Sequence, residues 1–192
     1  RLGIPYLFAF VDRLTVGFIV STLSLYLGAE LGFDAPRIGL AMAAFLIPFA
    51  LLTYPAGHLS QRVDRLALMI AGSLLYGVFL IALGHAGAAA VPPLMACGGV
   101  VAALMYAPSL VLTAELAGPG QRASTLAGFN LAGSLGFALG PLLGGFLVGS
   151  LRAAGMEPYL PVFIIVGGLE IVIALAMLPL WRRGLGHPPA TR

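Results

Sequence analysis

A chain of 192 residues in which 60% are hydrophobic and only 9% charged departs from soluble domains, where about a quarter of residues carry charge. With a mean hydropathy of +1.03 it has too little polar surface to cover a globule, and lipid is the solvent that suits it. The net charge of +3 comes from arginines dispersed between apolar stretches, so it marks membrane topology and is not the footprint of a nucleic-acid-binding surface.

A membrane-crossing helix needs about 20 apolar residues, and the sequence holds six such segments, at about 4–28, 38–58, 66–85, 92–114, 123–150 and 158–181. The first carries Asp12-Arg13 within it, runs past the length of a signal-peptide core and lacks a clear cleavage site. The stretches Ile38 to Gln61, Leu66 to Ala114 and Ala123 to Leu151 contain no charged residue. The middle one breaks around His85-Ala86-Gly87 and Pro92-Pro93, where turn-forming residues interrupt the apolar run. Short connections join the segments, so the chain is an all-α membrane protein: one six-helix bundle over 1–183 and a short basic tail over 184–192.

Basic residues are retained on the cytoplasmic side of a membrane. With both termini cytoplasmic, Arg1, Arg62, Arg65, Arg122, Arg182, Arg183 and Arg192 lie inside, and Arg37 and Arg152 lie outside. All ten basic residues are arginine, so neither a phosphate-loop lysine nor a Schiff-base lysine is available. Cys97 is the single cysteine, in the fourth segment, which leaves no disulfide framework and no thiolate zinc site. His58, His85 and His187 are scattered without metal-ligand spacing, and nothing in the sequence calls for a metal or cofactor.

A six-helix intramembrane hydrolase is one alternative. Ala132-Gly133-Ser134-Leu135-Gly136 approaches the G-x-S-x-G form of a nucleophilic serine, but the first position is alanine and no histidine in the last segment supplies a base. Ser134 reads instead as a small residue that lets helices approach.

Two loops and one helix carry a family likeness. Gly57-His58-Leu59-Ser60-Gln61-Arg62-Val63-Asp64-Arg65 follows the second segment and resembles the major facilitator signature G-x-x-x-D-R-x-G-R-R. Gly57, Arg62 and Arg65 fit; Gln61 replaces the usual aspartate and Asp64 the usual glycine. In that family the loop forms a charged latch, which Gln61 leaves without its acid. Gly136-x-x-x-Gly140-Pro141-x-x-Gly144-Gly145 in the fifth segment looks like the major facilitator pattern G-x-x-x-G-P-x-x-G-G. Ala132, Gly136, Gly140 and Gly144 recur every four residues, a ridge that lets a second backbone come close, while Pro141 removes a helix hydrogen bond. Phe10-Val11-Asp12-Arg13 through Leu27 and the turn Gly118-Pro119-Gly120-Gln121-Arg122 resemble the corresponding parts of a major facilitator half.

The resemblance runs from about Leu2 to Arg183 and implies two inverted three-helix repeats, half of a twelve-helix secondary transporter working by alternating access. The altered latch and the short basic tail favour the C-terminal half. The implied partners are a small-molecule substrate, membrane lipid, and a second six-helix half in the same polypeptide or in a dimer. The implied location is a bacterial cytoplasmic membrane.

Membrane-depth polar residues are the candidate substrate and proton-coupling groups: Glu170, Asp12, Arg13, Asn130, Tyr106 and Tyr54. An ionised carboxylate at the centre of a span costs about 2.5–3.5 kcal/mol on insertion scales, so an acid there has a partner or a function. Glu170 is central in its segment and has no neighbouring cation, which makes it the first choice for proton coupling; Arg13 beside Asp12 marks that acid for a structural or gating role. A non-transporting assembly subunit, the other alternative, needs neither acid.

The arginine bias makes a topological prediction. In a Cys97→Ala background, single cysteines at Arg62, Arg65 and Arg122 are expected to label only from the cytoplasmic side, and those at Asp34 and Glu157 only from outside. External labelling at position 62 overturns the assignment.

Overall fold

A computed structural model describes residues 2–182; Arg1, Arg183, His187, Arg192 and the tail over 184–192 lie outside the described residues. Among the described residues six helices are long and apolar enough to cross a membrane: α1 (Gly3–Ala29), α2 (Ala35–Leu59), α3 (Arg65–Gly84), α4 (Val91–Leu116), α5 (Arg122–Ala153) and α6 (Tyr159–Arg182). No strand occurs among the described residues.

The ends of these helices are set by local chemistry. Asp34 and Asp64 cap α2 and α3, their carboxylates accepting from the backbone N–H of Arg37 at 3.1 Å and of Ala67 at 2.7 Å; each satisfies a donor the first helical turn leaves free. Asp64 therefore has a purpose at the position where the signature has glycine. The Glu157 carboxylate accepts from the N–H groups of Tyr159 and Leu160 at the start of α6. Gly120 and Gly155 turn the chain into and out of α5 at φ of 72° and 73°, a region that side-chain-bearing residues rarely enter.

Helix pairing follows a permuted pattern. α1 packs most extensively on α5, α2 on α4, and α3 on both α6 and α4. Exchanging the first three helices for the last three converts the α1–α5 pair into α4–α2 and leaves α3–α6 unchanged. Three crossings reverse the chain direction, so the two triplets run in opposite senses, the arrangement of an inverted repeat.

The α1–α5 contact is made backbone to backbone. A Cβ on Gly136 would run into the carbonyl oxygen of Phe10, one on Gly140 into that of Leu14, and one on Gly144 into the Thr22 hydroxyl; Gly17 of α1 meets the Phe137 carbonyl in return. In place of Ala132, which is half-buried, Gly133 continues the ridge against the Arg13 side chain. The physical reason is helical phase: repeated steps of four residues drift by about 40° each, and a step of three returns the ridge to the contact. Gly145 faces open space within this chain, and Pro141 is half-buried at the edge of the ridge.

Residues Ile19–Leu23 of α1 form a π-helical segment. The Ser21 hydroxyl donates to the carbonyls of Gly17 and Phe18 just before it, both at 3.2 Å. At the other mirrored pair, α3 and α6 touch through glycines: a Cβ on Gly77 would lie 2.6 Å from the Gly167 oxygen, and the converse distance is the same. α2 and α4 meet where Gly99 lies on the Phe45 carbonyl.

The interior contains two apolar clusters. One, built around Phe18, Leu23, Phe45, Tyr76, Phe79, Met95 and Phe163, fills the bundle towards the end of α1. The other, with Phe8, Leu66, Met69, Ile70, Leu112 and Met177, lies at the end where α1 and α3 begin. Much of α2 and α5 is left uncovered by this chain, including Leu51, Tyr54, Leu142 and Phe146.

Gly140→Ala is expected to destabilise the folded protein by about 1–3 kcal/mol, since a backbone neighbour cannot swing aside as a side chain can. Gly145→Ala is expected to be neutral or slightly stabilising, gaining helix propensity of up to about 1 kcal/mol. Thermal unfolding in detergent reads both. Equal behaviour of the two variants would remove the backbone contact as the reason for the motif.

Candidate functional site

Consecutive residues on a helix point about 100° apart, and α1 uses this to divide its two charges. Asp12 turns into the bundle and is 5% exposed; Arg13 is half-buried and turns towards α4 and α5.

Asp12 enters a polar layer between the two apolar clusters. Glu170 of α6, 2% exposed, faces Ser73 of α3 and lies within electrostatic reach of Asp12. Tyr76 of α3 lies within reach of both acids and faces Thr15. The Thr15 hydroxyl donates to the Asp12 carbonyl at 2.8 Å, and Ser73 Oγ to Met105 Sδ of α4 at 2.9 Å. Glu170 Oε2 and Tyr76 Oη have no hydrogen-bond partner among the described residues. Two carboxyl groups are thus enclosed at membrane depth with no cation of the described residues in salt-bridge contact. The arrangement is suited to holding a proton and is walled off from the uncovered side of the bundle.

Arg13 belongs to a different place. Its stem lies against Gly133 of α5, 3.1 Å from where a Cβ would stand. Its guanidinium sits over the Tyr106 ring of α4, 4.9 Å from the centroid. Tyr106 also meets Phe49 of α2 at 5.7 Å and Phe129 of α5 at 6.2 Å between ring centroids, so three other helices converge on it. Asn130 is exposed on α5, a neighbour of Gly133 at the i, i+3 spacing. An arginine at the centre of a span costs about 2.5–3.5 kcal/mol, and a cation–π contact returns about 0.5–2 kcal/mol. The Tyr106 ring offsets only part of that cost.

The structure thus separates the candidates into groups. Asp12 and Glu170 are both enclosed, within electrostatic reach of each other; Arg13 lies over Tyr106, and Asn130 is exposed on the adjoining α5. Tyr54 joins neither: it is 76% exposed on α2 and its hydroxyl pairs with His58 Nε2 at 3.3 Å. Ser134 is exposed on α5 and is not packed between helices, a correction to its reading as a contact residue. The described histidines are engaged elsewhere, His58 with Tyr54 and His85 with the Ile81 carbonyl. No group of three or more metal-ligating side chains occurs among the described residues.

At the end of the bundle where α3 begins, Arg65 bridges to Glu115 of α4 at 2.6 Å, both side chains partly exposed. A partly exposed pair contributes about 1 kcal/mol or less, so its value lies in fixing geometry. Gln61, Glu115 and Arg122 line a cleft of about 500 Å³ there, while Arg62 is exposed and Gly57 faces open space. The signature loop therefore keeps an ion pair although Gln61 is neutral.

Glu115, Tyr76, Ser73 and Thr15 escaped the reading of the sequence. Glu115 had a signal: Arg65 and Glu115 bracket an uncharged stretch that crosses the bundle twice and returns to the same end. Thr15 lies one helical turn after Asp12, and Ser73 and Tyr76 are likewise one turn apart.

Comparison with known proteins agrees with this architecture. The quinolone resistance protein NorA of Staphylococcus aureus, in strains Mu50 and N315 alike, is 26% identical over 149 residues, covering 77% of this chain and 38% of the relative. The chain spans well under half the length of these curated relatives. A crystal structure of a bacterial homologue of the human lysosomal transporter Spinster, inward-facing and occupied, superposes with a TM-score of 0.72 at 19% identity, covering 98% of this chain and 43% of that one. Its unoccupied counterpart gives the same TM-score at 20% identity, over 100% of this chain and 43% of that one. Both share the fold. The family model of the Major Facilitator Superfamily matches residues 6–192, nearly the whole length, and the chain belongs to that superfamily.

Proposed function

We propose that this chain is the six-helix half of a proton-coupled secondary transporter of a bacterial cytoplasmic membrane. It holds a small, flat, largely apolar solute on its open face against a second six-helix half, supplied by the same polypeptide or by a partner chain. The observation that carries the reading is the pairing of two membrane-depth polar sites, one open around Tyr106 and one enclosed around Glu170 and Asp12. A solute site must be reachable, and a proton site benefits from being dry. The part-buried rings of Phe49 and Tyr106, with the buried Phe129 packed behind Tyr106, suit an aromatic solute, and the quinolone resistance relatives support a drug-like one.

In this mechanism the enclosed carboxyl pair takes up and releases a proton as the two halves rock between inward-open and outward-open states. Glu170 is the first choice for the proton carrier and Asp12 its partner. Neither touches the solute. Their link to the open face runs through α1, where Asp12 and Arg13 are adjacent, and through the Arg65–Glu115 pair that ties α3 to α4 at one end. An assembly subunit would have no use for two acids enclosed at membrane depth.

Reconstituted vesicles and a fluorescent quinolone test this. Glu170→Gln is expected to lower uptake driven by a pH gradient by about tenfold or more, a typical size for a coupling between sites. Solute exchange at equal pH should stay within about twofold, because the open face is intact. Driven uptake that matches the unsubstituted protein across the pH range would remove Glu170 from the mechanism.

A further inference from the structure

Arg13 lies ten residues beyond Gly3 in α1, about 15 Å along the helix, and so at membrane depth. Among the described residues no carboxylate stands within salt-bridge distance of it. Its neighbour Asp12 is turned into the enclosed layer, where Glu170 and Tyr76 are the other titratable groups facing it. The guanidinium is held on one side by the Tyr106 ring and at its stem by Gly133, and the residue keeps part of its surface exposed. An arginine so held is pre-organised: its planar fork presents paired donors that match a carboxylate. Beside it stand the part-buried rings of Tyr106 and Phe49, with the buried Phe129 behind Tyr106, and Asn130 is exposed on the neighbouring α5. The α4 and α5 acids and bases are remote, Glu115 and Arg122 lying at one end of the bundle and Arg152 in the last turn of α5 against Tyr159.

We infer that the open face is a site for an aromatic carboxylate, with the carboxylate on the Arg13 fork and the ring system against Tyr106 and its neighbours. The inference rests on the proposal that this face receives the transported solute, and it narrows that solute to an organic anion or zwitterion. The competing role for Arg13 is to balance Asp12 through the helix, which requires no ligand charge at all.

A charge series on one ring system separates these roles. The probes are 2-naphthoate, 2-naphthalenemethanol and 2-naphthylmethylamine, and their binding is measured by calorimetry to the purified protein in lipid nanodiscs. Naphthoate is expected to bind at least about tenfold more tightly than the alcohol, and the amine most weakly. Arg13→Gln should abolish the preference and leave alcohol binding within about twofold, while Arg13→Lys should retain part of the preference. The series on the unsubstituted protein decides the matter even if Arg13→Gln fails to fold. Alcohol and naphthoate binding alike, or a preference that survives in Arg13→Gln, overturns the anion site and leaves the solute face standing. Binding of none of the three probes overturns both.

Discussion

The contact on which the rest depends is the one between the backbones of α1 and α5. Inside a membrane there is no water to drive helices together by expelling it, so association rests on close packing. The α5 glycines bring carbonyls of α1 to within reach of bare Cα positions. That contact fixes the rotation of α1 about its own axis, and the rotation decides which side chain looks inward. Asp12 is enclosed and Arg13 is only part-buried, lying along Gly133, because Phe10, Leu14 and Gly17 are pressed on α5.

The polar layer inherits its character from what surrounds it. Apolar clusters above and below exclude water, and the Gly77–Gly167 contact brings α3 and α6 close enough for Glu170 to face Ser73. Glycine contacts thus build the dry compartment as well as the helix pairs. The uncovered flanks of α2 and α5, rich in exposed leucine and phenylalanine, show where this compartment's walls end and a neighbouring surface begins.

The six spans and the family were readable because charge is so sparse that its few positions mark the helix ends. The glycine ridge was readable as a pattern, although its phase was not: Ala132 fitted the spacing in four, and Gly133 makes the contact. Sequence could nominate Asp12, Arg13, Tyr106 and Glu170 by their rarity in apolar segments. It could not sort them, because sorting depends on how each helix is turned, and low-contrast helices such as α4 give no clear apolar face. The meeting of Asp12 with Glu170 depends on the packing of the first helix near the last, which no local pattern encodes. Glu115 was overlooked as an ordinary helix-end charge, and only the return of α4 to the start of α3 makes it a partner of Arg65.

Asp12 and Arg13 are joined by a single peptide unit, so the helix works on them as a lever works on its two arms. A rigid rotation of α1 would shift the carboxyl against Glu170 and the guanidinium against Tyr106 together, while each side chain stays free to turn about its own bonds. Covalent geometry thus gives the acid layer and the Tyr106 face one shared element. The stiffness of that link is the stiffness of a helix, with no chain of side chains needed to relay the motion.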